Sequence, residues 1–131
     1  MVVLIIGYPN AGKTTYAARF GRVIHIDDFR DSLQPGTQYK RCHAFIASVS
    51  DDIVVEGCYP TRKLRTDFLN ACQRKNDFKM CIWIDTPIAE CKQRENRGRP
   101  IMYSHFEPPT IDEGWNTIIR VDGTHDFTKE R

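Results

Sequence analysis

No Cys-x-x-Cys pair occurs among the five cysteines, which stand apart at positions 42, 58, 72, 81 and 91. An odd, scattered set argues against a zinc or paired-disulfide framework and points to a reducing, cytoplasm-like compartment. Charge of one sign is also scarce: 19 Lys and Arg stand against 17 Asp and Glu, for a formal net charge of +2. Bulk charge therefore does not argue for nucleic acid, and only clustered basic residues can. The apolar run Val2-Val3-Leu4-Ile5-Ile6 is far shorter than the roughly twenty residues needed to cross a bilayer, and no basic segment precedes it. Neither a signal peptide nor a membrane span is expected. Internal repeats, low-complexity stretches and linkers are missing too. The expectation is one domain over residues 1–131, with a polar, frayed tail from about 122.

What is present is organised around Gly7-Tyr8-Pro9-Asn10-Ala11-Gly12-Lys13-Thr14-Thr15. An apolar strand precedes it and the helix-forming Tyr16-Ala17-Ala18-Arg19-Phe20 follows, so Gly-x-x-x-x-Gly-Lys-Thr spans a strand-to-helix junction. Phosphate binding requires this order. Gly7 and Gly12, with Asn10 and Ala11 between them, let successive N–H groups turn inward to make an anion nest. Lys13 then reaches the β- and γ-phosphates, the Thr14 hydroxyl ligates Mg²⁺, and Thr15 completes the loop. The motif predicts that ATP or another nucleoside triphosphate binds here with Mg²⁺.

Further along, residues 22–26 read as a second short strand ending at Asp27-Asp28, the end that faces the ligand crevice in an α/β sheet. Between 38 and 49, Cys42, Phe45, Ile46 and Val49 recur with helical spacing. Ile53-Val54-Val55-Glu56 is a third strand closed by an acid, and Thr61 caps a helix to about 75. Residues 78–85 form a fourth strand. A helix opening at Thr86-Pro87 carries Lys92, Arg94, Arg97 and Arg99 before Pro100 stops it. Thr110-x-x-Glu113 has capping-box spacing, and 117–121 is a last strand. Alternating strands and helices imply a three-layer α/β P-loop fold: a parallel sheet of about five strands, helices on both faces, and an arginine-bearing lid.

The chain lacks an Asn-Lys-x-Asp guanine-reading element, which weakens a GTPase reading. Three features favour a kinase. Asp27 and Asp28 end a strand beside the P-loop, where an acceptor hydroxyl would lie, or else they cap the next turn. The basic cluster from Lys92 to Arg99 suits a phosphate-clamping lid, or an exposed helix face. Glu56 can order a Mg²⁺ shell, or make a structural pair. A loose phosphoryl-transfer transition state needs mainly positioning and charge neutralisation, and such groups supply both.

The combination Gly-x-Pro-x-x-Gly-Lys-Thr-Thr, Asp27-Asp28-Phe29-Arg30 and the arginine-rich lid resembles the polynucleotide 5′-hydroxyl kinases. Residues 106–115, Phe-Glu-Pro-Pro-Thr-Ile-Asp-Glu-Gly-Trp, are similar to a stretch in the animal members of that family. The resemblance implies ATP-dependent transfer to the 5′-hydroxyl end of DNA or RNA. It implies that Asp27 takes the hydroxyl proton and that Arg30, beside Asp28, holds the phosphate 3′ to the reacting nucleoside. Arg94 and Arg97 would face the migrating phosphoryl, with Arg99 as an alternative. The chain departs from the family after the third strand, where Glu56-Gly57-Cys58-Tyr59-Pro60 replaces an Asp and a Thr-Asn pair. Tyr59 there could stack on a base or be a packed surface tyrosine. Arg62, Lys63 and Arg65 could track a strand's phosphates or form the solvated side of a helix. A small-molecule or nucleoside kinase of the same fold, and a nucleotide-binding regulatory module without transfer, are the alternatives.

Overall fold

A computed structural model describes residues 1–72, 76–95, 103 and 105–129. Its strands are β1 (Val2–Ile6), β2 (Ile24–His25), β3 (Ile53–Glu56), β4 (Lys79–Asp85) and β5 (Thr117–Asp122). They form one parallel sheet in the order β2-β3-β1-β4-β5. The helices are α1 (Lys13–Ala17), α2 (Gln38–Ile46), α3 (Arg62–Cys72) and α4 (Ile88–Gln93), with short 3₁₀ turns between elements.

The alternation of side chains along β1 explains the layering. All five of its residues are fully buried, yet they feed two different cores. Val2, Leu4 and Ile6 pack with Cys42 and Ile46 of α2 and with Phe68 and Cys72 of α3. Val3 and Ile5 pack on the other face with Tyr16 and Ala17 of α1 and Cys91 of α4. The chain has the three-layer α/β P-loop fold that its strand–helix alternation predicts.

Three details differ from the sequence reading. β2 is two residues long, because Ile26 turns into the core and opens a 3₁₀ turn, Ile26–Phe29, that carries Asp27 and Asp28. α2 stops at Ile46 with Ala47 as its C-cap, and the N–H groups of residues 48 and 49 close tighter turns onto Phe45 and Ile46. The lid helix expected to run to Pro100 ends at Gln93, with Arg94 as its C-cap. Arg97 and Arg99 lie outside the described residues.

Residues 105–116 form an arm that packs across α3. Phe106 stacks on Trp83 with ring centroids 5.8 Å apart, and Trp115 stacks on Phe68 at 6.3 Å. Thr110 and Glu113 make the predicted capping box around the Ile111–Glu113 turn. Arg65 donates to both carboxylate oxygens of Glu113, at 2.8 and 3.0 Å, and to the Tyr59 carbonyl at 2.9 Å. Both side chains are sealed from solvent, at 0% and 1% exposure. Burial by itself would raise the Glu113 pKa, but the Arg65 and Trp115 donors more than offset it and hold the carboxyl below its usual range. The sequence motif of residues 106–115 therefore has a structural task in this chain, which is to fasten the arm.

Candidate active site

The P-loop has the backbone that its glycines permit. Gly12 sits at φ 102° and Asn10 at φ 64°, both in the left-handed region. A Cβ on Gly7 would lie 2.7 Å from the Ile84 carbonyl oxygen, so the loop leaves β1 only because that position lacks a side chain. Three contacts hold the loop from behind. Thr86, almost fully buried, donates to the Ala11 carbonyl at 2.7 Å. The Arg94 guanidinium donates to the Asn10 and Ala11 carbonyls at 3.2 Å each, and to the Gly123 carbonyl at 2.9 Å. Sequence reasoning placed Arg94 in a lid, whereas here it ties the P-loop to the turn after β5. Asn10 Nδ2 is buried without a hydrogen bond of ordinary geometry among the described residues.

Lys13 is buried and folded onto the loop, donating to the Tyr8 carbonyl at 2.6 Å and reaching Cys58 Sγ at 3.6 Å. Burial pushes the Cys58 thiol up, and the nearby Lys13 opposes this without reversing it. Burial there disfavours the reactive thiolate. Thr14 Oγ1 donates to Glu56 Oε1 at 3.3 Å, and the same oxygen is 2.8 Å from His25 Nδ1. A hydroxyl and a buried carboxylate side by side at the end of a P-loop are hard oxygen donors that fit Mg²⁺. His25 was missed in the sequence, since only the parallel register that sets it opposite Glu56 reveals it.

Across the opening, Asp27 and Arg30 stand at the rim. Arg30 Nε donates to Asp27 Oδ1 at 2.9 Å, and both side chains are mostly exposed. The expected clamp on a substrate phosphate is thus engaged with the expected base. Asp28 is exposed and does not line the cavity. One cavity of about 1130 Å³ connects these groups, lined by the P-loop residues Asn10, Gly12, Lys13, Thr14 and Thr15, by Asp27, Arg30 and Tyr39, by Glu56 and Cys58, and by Arg94 with residues 124–128.

Two expectations are overturned. Tyr59 has no exposed surface. Its hydroxyl lies 2.8 Å from His43 Nε2, and its ring is packed edge-on against Tyr39 and Phe68. No face is open for a base, and the left-handed backbone (φ 44°) belongs to a core residue. The basic run after it is not a phosphate track either. Arg62 is bidentate on Asp112 at 2.9 and 3.2 Å, Lys63 pairs with Asp67 at 3.0 Å, and Arg65 is the buried partner of Glu113. The Arg62 guanidinium, with the Thr110 hydroxyl, holds the Asp112 carboxyl at about 2.

No protein-family model and no curated protein sequence matches the chain. Solved structures do. An unliganded sugar kinase from Janibacter sp. HTCC2649 superposes with a TM-score of 0.70 at 14% identity, over 98% of this chain and 88% of the other. The protein APE1195 gives 0.66 at 18% identity, over 98% and 88%. The APS kinase CysC of Mycobacterium tuberculosis, solved with AMPPNP and APS, gives 0.65 at 14% identity, over 98% and 91%. At this level of identity the likeness establishes the fold, one that P-loop kinases share along nearly the whole length of this chain. Among the described residues no helix is long and apolar enough to cross a membrane.

Proposed function

We propose that the chain is a Mg²⁺- and ATP-dependent phosphotransferase acting on a hydroxyl of a small-molecule acceptor, with Asp27 as general base. The observation that carries this reading is that Asp27, Lys13, Thr14 and Glu56 line a single cavity of about 1130 Å³. That is above the roughly 300–1,000 Å³ of a site for one small ligand, which leaves room for a nucleotide and an acceptor end to end. The named kinases among the structural neighbours support a phosphotransferase, and a sugar and APS are small acceptors.

In this reading the P-loop amides cradle the phosphates, and Lys13 leaves the Tyr8 carbonyl to reach the β- and γ-oxygens. Mg²⁺, when bound, neutralises charge on those phosphates, and Thr14 with Glu56 would hold it. Arg30 engages Asp27 Oδ1 only, leaving Oδ2 to accept the acceptor's hydroxyl proton. As the acceptor's oxygen, losing its proton to Oδ2, attacks the γ-phosphorus, the bond to the β–γ bridging oxygen breaks and ADP leaves. Arg94 keeps the loop carbonyls in place.

A second reading keeps the same phosphoryl transfer but directs it to the 5′-hydroxyl end of DNA or RNA. The likeness of Asp27-Asp28-Phe29-Arg30 to the polynucleotide kinases favours it, with Arg30 at the cavity rim to meet a 3′-phosphate. Arg62, Lys63 and Arg65 are each ion-paired, so these three do not by themselves make the extended basic track a polymer would use. The test is γ-labelled ATP offered to sugars, nucleosides, 3′-nucleotides, 5′-hydroxyl oligonucleotides and water. Transfer to a small alcohol, reduced about 10²–10⁴-fold by Asp27→Asn at unchanged ATP affinity, is the expected result. Transfer to oligonucleotides alone, with KM raised by Arg30→Ala, would select the second reading. Labelled phosphate appearing only in water would refute both.

A further inference from the structure

We infer that His25 is a positioning residue for the nucleotide–metal site, acting through Glu56. This rests on the proposed reading of Glu56 as the acid that would hold Mg²⁺. His25 and Glu56 are register partners on the adjacent parallel strands β2 and β3, so their side chains leave the sheet on the same face. The imidazole Nδ1 lies 2.8 Å from Glu56 Oε1, and the Thr14 hydroxyl lies 3.3 Å from that same oxygen. A carboxylate can only accept, so Nδ1 carries the proton and Thr14 donates as well. Both partners take Oε1, and Oε2 has no hydrogen bond among the described residues. Glu56 lines the cavity and His25 does not. The histidine therefore touches neither nucleotide nor acceptor and works by fixing the rotamer of the acid in front of it. A glutamate has three side-chain torsions to freeze, and a second donor on one oxygen selects the orientation that presents the other. When Thr14 turns its hydroxyl toward a cation, His25 is the remaining donor that keeps Glu56 aimed.

A merely structural pair would do no more than staple the two-residue β2 to β3, and the two roles separate experimentally. Dissociation constants of a fluorescent ATP analogue are measured with and without Mg²⁺ for the wild type, His25→Ala, His25→Asn and His25→Gln, each checked by thermal melting. Asparagine places its Nδ2 where the histidine carries Nδ1, whereas glutamine places its nitrogen one bond further out. The expected result is that metal-free binding is unchanged in all four. The Mg²⁺-dependent gain in affinity falls about tenfold in the Ala and Gln variants and returns to within about threefold of wild type in Asn. An alanine variant that keeps the full Mg²⁺ gain would overturn the inference, even with a lowered melting temperature. So would an asparagine variant no better than alanine. The binding assay contains no acceptor, so failure to phosphorylate anything sinks the kinase reading without touching this one.

Discussion

Replacing Arg65 by methionine isolates the buried ion pair that fastens the 105–116 arm. The substitution keeps most of the aliphatic bulk and strands Glu113 in a site where its side chain is 1% exposed. Glu113 retains the Trp115 Nε1 and Thr110 N–H donors, each at 3.1 Å, but loses two charge-assisted bonds. The Tyr59 carbonyl loses its 2.9 Å donor at the same time. Removing one partner of a buried pair costs about 3–5 kcal/mol. At about 2.1 cal/mol/K of unfolding entropy per residue, the 131 residues give roughly 0.28 kcal/mol/K. The expected fall in Tm is therefore about 11–18 °C. The double variant Arg65→Met, Glu113→Leu removes the stranded charge and should recover about half of the loss. Recovery stays incomplete because the Tyr59 carbonyl, Trp115 and Thr110 still lack partners. Urea unfolding followed by tryptophan fluorescence reports directly, since Trp115 belongs to the arm and stacks on Phe68 of α3. A single variant within about 1 kcal/mol of wild type, or a double variant no more stable than the single, would refute the argument that charge satisfaction holds the arm.

Two further outcomes follow from the same coordinates. A Cβ at Gly123 would lie 1.5 Å from Thr86 Oγ1 and 3.2 Å from the Ala11 carbonyl. Gly123→Ala should therefore push Thr86 off the P-loop and weaken ATP-analogue binding at least tenfold, whereas Gly36→Ala, with open space around it, leaves binding intact. Acid should reduce stability in two steps. Burial lowers the His43 pKa, with Asp67 opposing, so stability is full above about 6.5 and declines as pH falls from there toward the lower folded value. Glu113, depressed in the fold, contributes stability above about 4.3 that is lost as pH falls through its folded pKa. His43→Gln should abolish the first step in the urea midpoint and leave the second. A single transition in the wild type would contradict the assignment.

The parts of the fold carried by short-range pattern were legible in the sequence. The β1 run, the P-loop glycines and the spacing of Cys42 and Ile46 or of Phe68 and Cys72 each state their own burial, because a strand or helix period needs no distant partner. What the sequence could not state were pairings across long separations. Arg62 and Arg65 read as a basic run because their acids lie 50 and 48 residues away. Tyr59 read as a surface ring because its neighbours Tyr39, His43 and Phe68 come from two other elements. Arg94 read as a lid arginine facing the phosphates, whereas its partners are backbone carbonyls of the P-loop, which carry no sequence signal. Thr14 and Glu56 could each be singled out from the motif and the strand end and lie 3.3 Å apart, whereas His25 became visible only through strand register.

The central position of β1 has a consequence for how the chain is made. Val2 is paired on one side with Ile53 and on the other with Lys79, so β1, once synthesised, waits for residues 51 and 77 positions later. At about 5–20 residues per second, the second partner emerges roughly 4–15 s after the first strand. Until β3 emerges, Val2 to Ile6 is a wholly apolar segment with both ladder edges open, and one edge stays open until β4 follows; nascent chains aggregate or recruit chaperones on segments of this kind. The P-loop is synthesised well before the residues that hold it, so its backbone is braced only after Thr86, Arg94 and Gly123 have been added. ATP therefore cannot template the early stages of folding, and nucleotide should stabilise the finished protein without accelerating its formation.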